Sequence, residues 1–322
     1  MSKKKIDRIV FSSKDGSLEN LKNVLKKSPQ DSLTHSWNIL RDACCVGDLN
    51  IIKYIFRLNN IHHNLRINTQ DEYGNTALLY ACKNNQLEVV KYLLSNSELS
   101  EPADISRENN FKETPLLVAC ANGYLDIVRF LLTNKGIAKN SSLLETDKEG
   151  RNSLMYAICN ENIETFNYLF DMAKNYFPNI INHQDKNGNT IFLMDMKSST
   201  YIERITHVLS NSSKAFININ LTDNSGNDII TNLILNGSGL FNRENVLKLT
   251  DICISKYDLK ISRKNLNKMY DYIMKIESKY HSLLKKNDTS LYEKILFLVK
   301  NQEVKNLESN LIFKEKKAII KV

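Results

Sequence analysis

Apolar and polar positions alternate in blocks that recur along the first half of this chain. A polar stretch, Asp71-Glu-Tyr-Gly-Asn-Thr76, gives way to Ala77-Leu-Leu-Tyr-Ala-Cys82 and then to Leu87-Glu-Val-Val-Lys-Tyr-Leu-Leu94. The same order returns as Asn109-Asn-Phe-Lys-Glu-Thr114, Pro115-Leu-Leu-Val-Ala-Cys120 and Leu125-Asp-Ile-Val-Arg-Phe-Leu-Leu132. Ala43, Ala81, Ala119 and Ala157 mark the period, each 38 residues from the next. Within one block, Leu116, Ala119 and Cys120 have i, i+3, i+4 spacing, which predicts a short helix with one apolar face. Leu125, Ile127, Val128, Phe130, Leu131 and Leu132 are apolar around more than one face, as in a helix sandwiched between neighbours. Self-similarity at a fixed period signals a stacked array whose units cannot bury their apolar faces alone.

The punctuation agrees with that pattern. Gly74 stands where a tight turn needs positive φ. Thr114-Pro115 predicts a helix start, with Thr as N-cap and Pro at the first helical position. That helix should end near Gly123, and the same column holds Gly47 and Asn85, residue types that tolerate a left-handed C-cap. This order of turn, Thr-Pro-Leu helix, Gly and longer apolar helix resembles the ankyrin repeat. The resemblance is strong at 71–94 and 109–132, good at 147–170 through Asp147, Gly150, Leu154 and Ala157, and partial at 36–58. The period continues through Asp185 and Gly188 to Asp223 and Gly226. Gly16-Ser-Leu-Glu-Asn-Leu-Lys-Asn-Val-Leu25 looks like a second helix of a truncated first unit.

The resemblance implies an all-α solenoid with β-turn fingers and a helical C-terminal cap. The organisation expected is a truncated capping repeat at 1–33, repeats at about 34–67, 69–103, 107–140, 145–180, 183–217 and 221–258, and a basic cap at 259–322. Three features depart from the family. The period exceeds the usual ~33 residues, so extra residues should follow the second helix. Leu79, Leu117, Met155 and Leu193 replace the frequent His after Thr-Pro-Leu. From about 190 the pattern decays, with Asp195 in the alanine column. Beyond the repeats, Leu266, Met269, Ile273, Ile276, Tyr280 and Leu283 form an amphipathic stripe, and Leu291, Ile295, Leu298 and Val299 suggest another helix.

Charge separates these parts. The net charge is +8 from 44 Lys+Arg and 36 Asp+Glu. Residues 1–242 hold 26 of each sign, and residues 243–322 hold 18 basic against 10 acidic. A neutral array is not expected to grip nucleic acid, which needs clustered positive charge. The basic tail Phe313-Lys-Glu-Lys-Lys-Ala-Ile-Ile-Lys-Val322 has few charges for anionic lipid, so membrane contact there is a weak alternative. Apolar runs stay well short of a membrane span, the start has no signal-peptide core, and a cytoplasmic location is expected.

Candidate chemistry is sparse. Cys44, Cys82 and Cys120 share a column, but equivalent positions in stacked units lie roughly 8–10 Å apart, too far for a disulfide or a zinc site. They are expected to be small buried hydrophobes. The sequence has no phosphate-cradling glycine loop, no His-Glu-x-x-His and no Gly-x-Ser-x-Gly. Neither a catalytic residue, a metal nor a cofactor is expected, with residues 230–322 the one stretch left open to an activity.

Ankyrin proteins bind protein partners mainly through the turn tips and the adjoining first helices, and that is the function the resemblance implies. The tip columns here are 35, 73, 111, 149 and 37, 75, 113, 151. Their residues, His35, Trp37, Tyr73, Asn75, Phe111, Glu113, Glu149 and Arg151, are the expected partner-binding set. Tyr73 and Phe111 are the leading pair, because aromatic clusters make the energetic centres of interfaces. For Trp37, burial against the first helix is an equal alternative. A second reading makes the array a targeting arm for an enzymatic or membrane-associating segment at 243–322. About 40 asparagines with abundant Lys and Ile suit an AT-rich genome. Ankyrin proteins of such composition include effectors delivered into host cells, which would place the chain in a host cytosol.

Overall fold

The computed structural model describes residues 18–19, 21–23, 29–62, 66–95, 99, 101–134, 142–160, 162–194, 199–236, 243–279 and 297. These form helices, turns and loops, and strand pairing among them is limited to one isolated bridge between Thr146 and Asn152. The chain divides into two compact units, residues 1–169 and 170–322.

The first unit contains helix pairs α1 (Pro29–Val46) and α2 (Leu49–His62), α3 (Ala77–Lys83) and α4 (Leu87–Ser95), and α5 (Pro115–Ala121) and α6 (Leu125–Thr133). It continues with α7 (Ser153–Cys159) and the start of α8 (Ile163–Tyr176). First helices stack on first helices, α1 on α3, α3 on α5 and α5 on α7. The alanine column is the seam: Ala43, Ala81, Ala119 and Ala157 are all fully buried, as are Cys44, Cys82 and Cys120 beside them. All six cysteines are free. Burial pushes the thiols of Cys82 and Cys120 far above their ordinary range.

The expected punctuation is present. Thr76 Oγ1 accepts the Leu79 amide and Thr114 Oγ1 the Leu117 amide. Asn152 takes the same place before α7, accepting from the Met155 amide. Gly47, Asn85 and Gly123 follow the first helices with φ of 87°, 58° and 71°. The sandwiched character of the second helix is clearest in α4, which buries Val89, Val90, Tyr92, Leu93 and Leu94. In α6 only Ile127, Val128 and Leu131 are buried, so its apolar surface is less fully covered than the sequence suggests.

The start of the array differs from expectation. Residues 29–46 are one helix, so the division at 33/34 falls inside α1, and His35 and Trp37 are helical rather than at a turn tip. The reason is local: 33–37 reads Leu-Thr-His-Ser-Trp, and Leu33 has no side-chain oxygen to accept the turn amides as Asp71 and Asn109 do at the same place in later units. Trp37 is half-buried, and the side chain of His35 lies outside the described part.

In the second unit a 3₁₀ turn at Pro178–Asn182 precedes α9 (Ser199–Asn211), α10 (Ile229–Asn236), α11 (Arg243–Ser255) and α12 (Arg263–Lys279). Where a first helix would begin after Thr190, residues 191–194 only turn. Ile191, Phe192 and Leu193 are still buried, and the Tyr201 hydroxyl donates to the Ile191 carbonyl at 2.6 Å. The apolar content of the column survives there without its helix. α12 packs on α10 with Met269 fully buried, a first-helix contact made without a finger of its own. Asp195, Tyr280, Leu283, Leu291, Ile295, Leu298, Val299 and the basic tail at 313–322 lie outside the described residues, as do the side chains of Ile273 and Ile276. Among the described residues no helix is long and apolar enough to cross a membrane.

Replacing Ala119 with Leu would force a branched side chain into the α5 seam. The expected cost is about 1–3 kcal/mol. Hydrogen exchange should quicken across 71–95 and 147–160 as well as around residue 119, since each unit leans on its neighbours. Faster exchange confined to α5 would contradict the stacked seam.

Candidate partner-binding surface

Between helix pairs the chain makes a five-residue finger, and its geometry comes from one acidic or amide side chain. In the finger at 71–75, Asp71 Oδ1 accepts the amides of Tyr73 and Asn75 at 2.9 and 2.8 Å. The Asp71 amide donates to the Asn75 carbonyl and the Gly74 amide to the Asp71 carbonyl. Asn109 does the same for Phe111 and Glu113, and Asp147 for Glu149 and Arg151. In the second unit Asp185 and Asp223 repeat it. The fourth position has positive φ and is Gly in four fingers, but Lys112, with φ 59°, in the finger at 109–113.

Neighbouring fingers are sewn together within each unit. The Asn110 amide donates to the Tyr73 carbonyl at 2.9 Å and the Lys148 amide to the Phe111 carbonyl at 2.8 Å. The Asn110 side chain reaches the Glu72 carbonyl, and Gln70 Nε2 bonds both the Gly74 and Glu108 carbonyls. A Cβ on Gly74 would stand 2.7 Å from the Asn110 amide nitrogen, so this contact requires glycine. The second unit repeats the device, with Asn224 on the Lys186 carbonyl and Gln184 on those of Gly188 and Thr222.

Stacking in this way brings two tips together. Tyr73 is 56% and Phe111 58% exposed. With Asn75, Glu113, Asn109, Lys83 and Asn122 they edge an open groove of about 390 Å³ floored by Leu79, Tyr80, Val118 and Ala121. Four of the eight expected site residues therefore line one groove. Glu149 is an exposed tip outside that lining, and Arg151 is committed elsewhere.

The polar members of the set form a network. Arg151 pairs with Asp147 at 2.7 Å and lies 4.9 Å over the Tyr156 ring. The Tyr156 hydroxyl donates to Asp147 Oδ2 at 2.7 Å and reaches Glu113. Asn109 Nδ2 then joins Glu113 to Asn75. Asn75 and Glu113 thus tie neighbouring repeats together, while Arg151 braces its own finger. Sequence reasoning missed Tyr80 and Tyr156. The Tyr80 hydroxyl donates to Asp71 Oδ2 at 2.6 Å, so each tyrosine clamps the finger aspartate nine positions before it. Burial and then the Asp71 hydrogen bond push the Tyr80 phenol up to about 12. The spacing Asp-x₈-Tyr at 71/80 and 147/156 was the available signal.

A family model of ankyrin repeats in three copies matches residues 9–103 and 97–182, more than half of the chain. The chain belongs to the ankyrin-repeat family. Ankyrin arrays are protein-interaction scaffolds, and the family is generally non-enzymatic. No curated protein matches the sequence. One solved structure is the predatory endopeptidase Bd0816 from Bdellovibrio bacteriovorus in complex with immunity protein Bd3460. The alignment with a chain of that complex has 24% identity and a TM-score of 0.46, covering 66% of this chain and 96% of that one. Among the described residues no cluster of His, Cys, Asp and Glu is arranged to hold a metal ion.

Asp147 supplies a test of the finger design. Burial opposes its charge, but the Arg151 amide, the Tyr156 hydroxyl and the Arg151 guanidinium outweigh it and hold its carboxyl below the usual range. A depressed folded value means stability that is present above the unfolded value of about 3.9 and lost as pH falls through the folded one. Asn109 shows that an amide can accept both finger N–H bonds, so Asp147→Asn removes mainly the charge. It should cost about 1–3 kcal/mol at pH 7, and urea titrations should show the deficit shrinking towards pH 3. A pH-independent deficit would mean that the loop geometry had been lost instead.

Proposed function

We propose that this ankyrin scaffold holds its protein partner in the groove between the fingers at 71–75 and 109–113, with Tyr73 and Phe111 as anchors. The observation that carries this reading is their exposure over an apolar floor. Folding gains little from either ring, whereas a partner covering them gains apolar burial at about 25 cal/mol per Å². The six free thiols suit a reducing compartment, so the protein acts inside a cell, a host cell if it is delivered as an effector.

The test begins with affinity purification using the intact chain as bait and the Tyr73→Ala/Phe111→Ala double variant as the matched control. Each single substitution should weaken the recovered partner by at least about 1–2 kcal/mol. Thermal stability should move within about half a kcal/mol, as for exposed surface positions. Asn187→Ala and Ser225→Ala, at the equivalent tips of the second unit, should be silent in both assays. Full affinity in the double variant would sink the reading, and full affinity that disappears on removing 243–322 would move the site to the basic end.

A further inference from the structure

The charges around the groove are unequally committed, and the inequality bears on what the groove accepts. This step rests on the groove being the binding site. Glu113 is half-buried, with Oε2 accepting from Asn109 and Oε1 3.4 Å from the Tyr156 hydroxyl, whose proton goes to Asp147. Asp71 is held by its own finger amides and by Tyr80. Lys83, by contrast, lies exposed in the last turn of α3 and lines the groove, and among the described residues no ion pair or hydrogen bond engages its ammonium. A second ammonium with no partner among the described residues, Lys112, directly follows Phe111. The chain places that cation at φ 59°, a conformation in which an L-residue with a Cβ is strained and which glycine fills in the neighbouring fingers.

We propose that the groove recognises an extended segment of a partner protein that combines an apolar side chain with a carboxylate. The apolar group sits between Tyr73 and Phe111 over Leu79 and Val118, and the carboxylate reaches Lys83, with Lys112 adding attraction at the rim. A basic segment would meet two ammonium groups and find the one carboxylate that lines the groove, Glu113, already bonded to Asn109. Opposite charge here acts as a filter on partners as much as a source of affinity. A neutral apolar segment would bind through the rings alone and would not sense ionic strength.

The experiment selects a display library of random twelve-residue peptides on the full-length chain, then measures synthetic copies of the winners against variants. Recovered peptides should be enriched in Asp or Glu near a Leu, Ile, Val or Phe, and their affinity should fall as salt is raised from 50 to 500 mM. Lys83→Glu should weaken them about tenfold and Lys83→Gln about threefold, the scale expected for a partly desolvated ion pair. Lys112→Gly should raise the melting temperature by relieving the strained φ while weakening the same peptides severalfold, two effects of opposite sign that a purely structural lysine would not give. Thermal melts of Lys83→Glu and Lys83→Gln identify any loss that comes from folding, and Lys83→Gln keeps the test decisive if the charge reversal unfolds α3.

Peptides that lose affinity on Phe111→Ala but ignore both Lys83 variants and salt would overturn the acidic class and leave the groove standing. Enrichment of basic peptides, or tighter binding by Lys83→Glu, would overturn it as well. Peptides indifferent to Tyr73→Ala and Phe111→Ala would remove the groove itself, and with it this inference. A library that yields no groove-dependent binder would count against both.

Discussion

Close approach of the first helices is the constraint on which the first unit depends. Ala43, Ala81, Ala119 and Ala157 are buried completely at that seam, and a methyl group is what the helix spacing leaves room for. The fingers inherit the spacing. Gly74 can lie against the next finger only because it has no Cβ, and that contact lets the Asn110 amide reach the Tyr73 carbonyl. Tyr73 and Phe111 stand beside one another because the seam below them is narrow. The candidate site is therefore a consequence of alanines that never touch it.

Asparagine and glutamine do much of the sewing. Asn110 and Asn224 occupy one column and each bonds a carbonyl 38 residues earlier. Asn68 and Asn182 occupy another and each accepts an amide 36 residues later. Asn160 and Asn162 tie α7 and α8 to the carbonyls of Ala121 and Gly123. An amide both donates and accepts, so it can satisfy loop backbone groups on the next repeat without adding charge. Each such bond contributes only about 0.5–1.5 kcal/mol net, but the repeat multiplies it. The neutrality of residues 1–242 follows partly from this preference. Genome composition can explain how asparagine became abundant, and the hydrogen bonds explain why these columns tolerate it.

Much of the fold was legible because its signals are local and repeated. The helix starts at Thr76 and Thr114 and the left-handed ends at Gly47, Asn85 and Gly123 each depend on a few adjacent residues. Tyr73 and Phe111 were legible as tips for the same reason, since Gly74 and the period locate the turn. Counting columns failed where the local signal was missing. Carrying the tip label back 38 residues put His35 and Trp37 on a finger, yet Leu33 stands where every described finger has Asp or Asn, and α1 runs straight through. The commitments of Asn75, Glu113 and Arg151 were hidden for another reason. Asn109 lies 34 residues from Asn75, and Tyr156 lies 43 from Glu113. Such pairings depend on how neighbouring repeats stack, which no single column reveals.

This division between committed and free side chains decides how the surface can work. To use Arg151 directly, a partner would have to draw it from Asp147 and leave a buried carboxylate short of its cation, a loss of several kcal/mol in comparable buried pairs. Glu113 presents a milder form of the same obstacle, because the Asn109 amide already claims one of its oxygens. Covering Tyr73 or Phe111 breaks no such bond. Asn75, Glu113 and Arg151 therefore act by holding the fingers in shape, and the aromatic residues remain open to an incoming chain. Rigidity and availability come from different members of the same two columns. Substituting the polar set would blur the groove by loosening it, while substituting the aromatic set would empty a groove that keeps its shape.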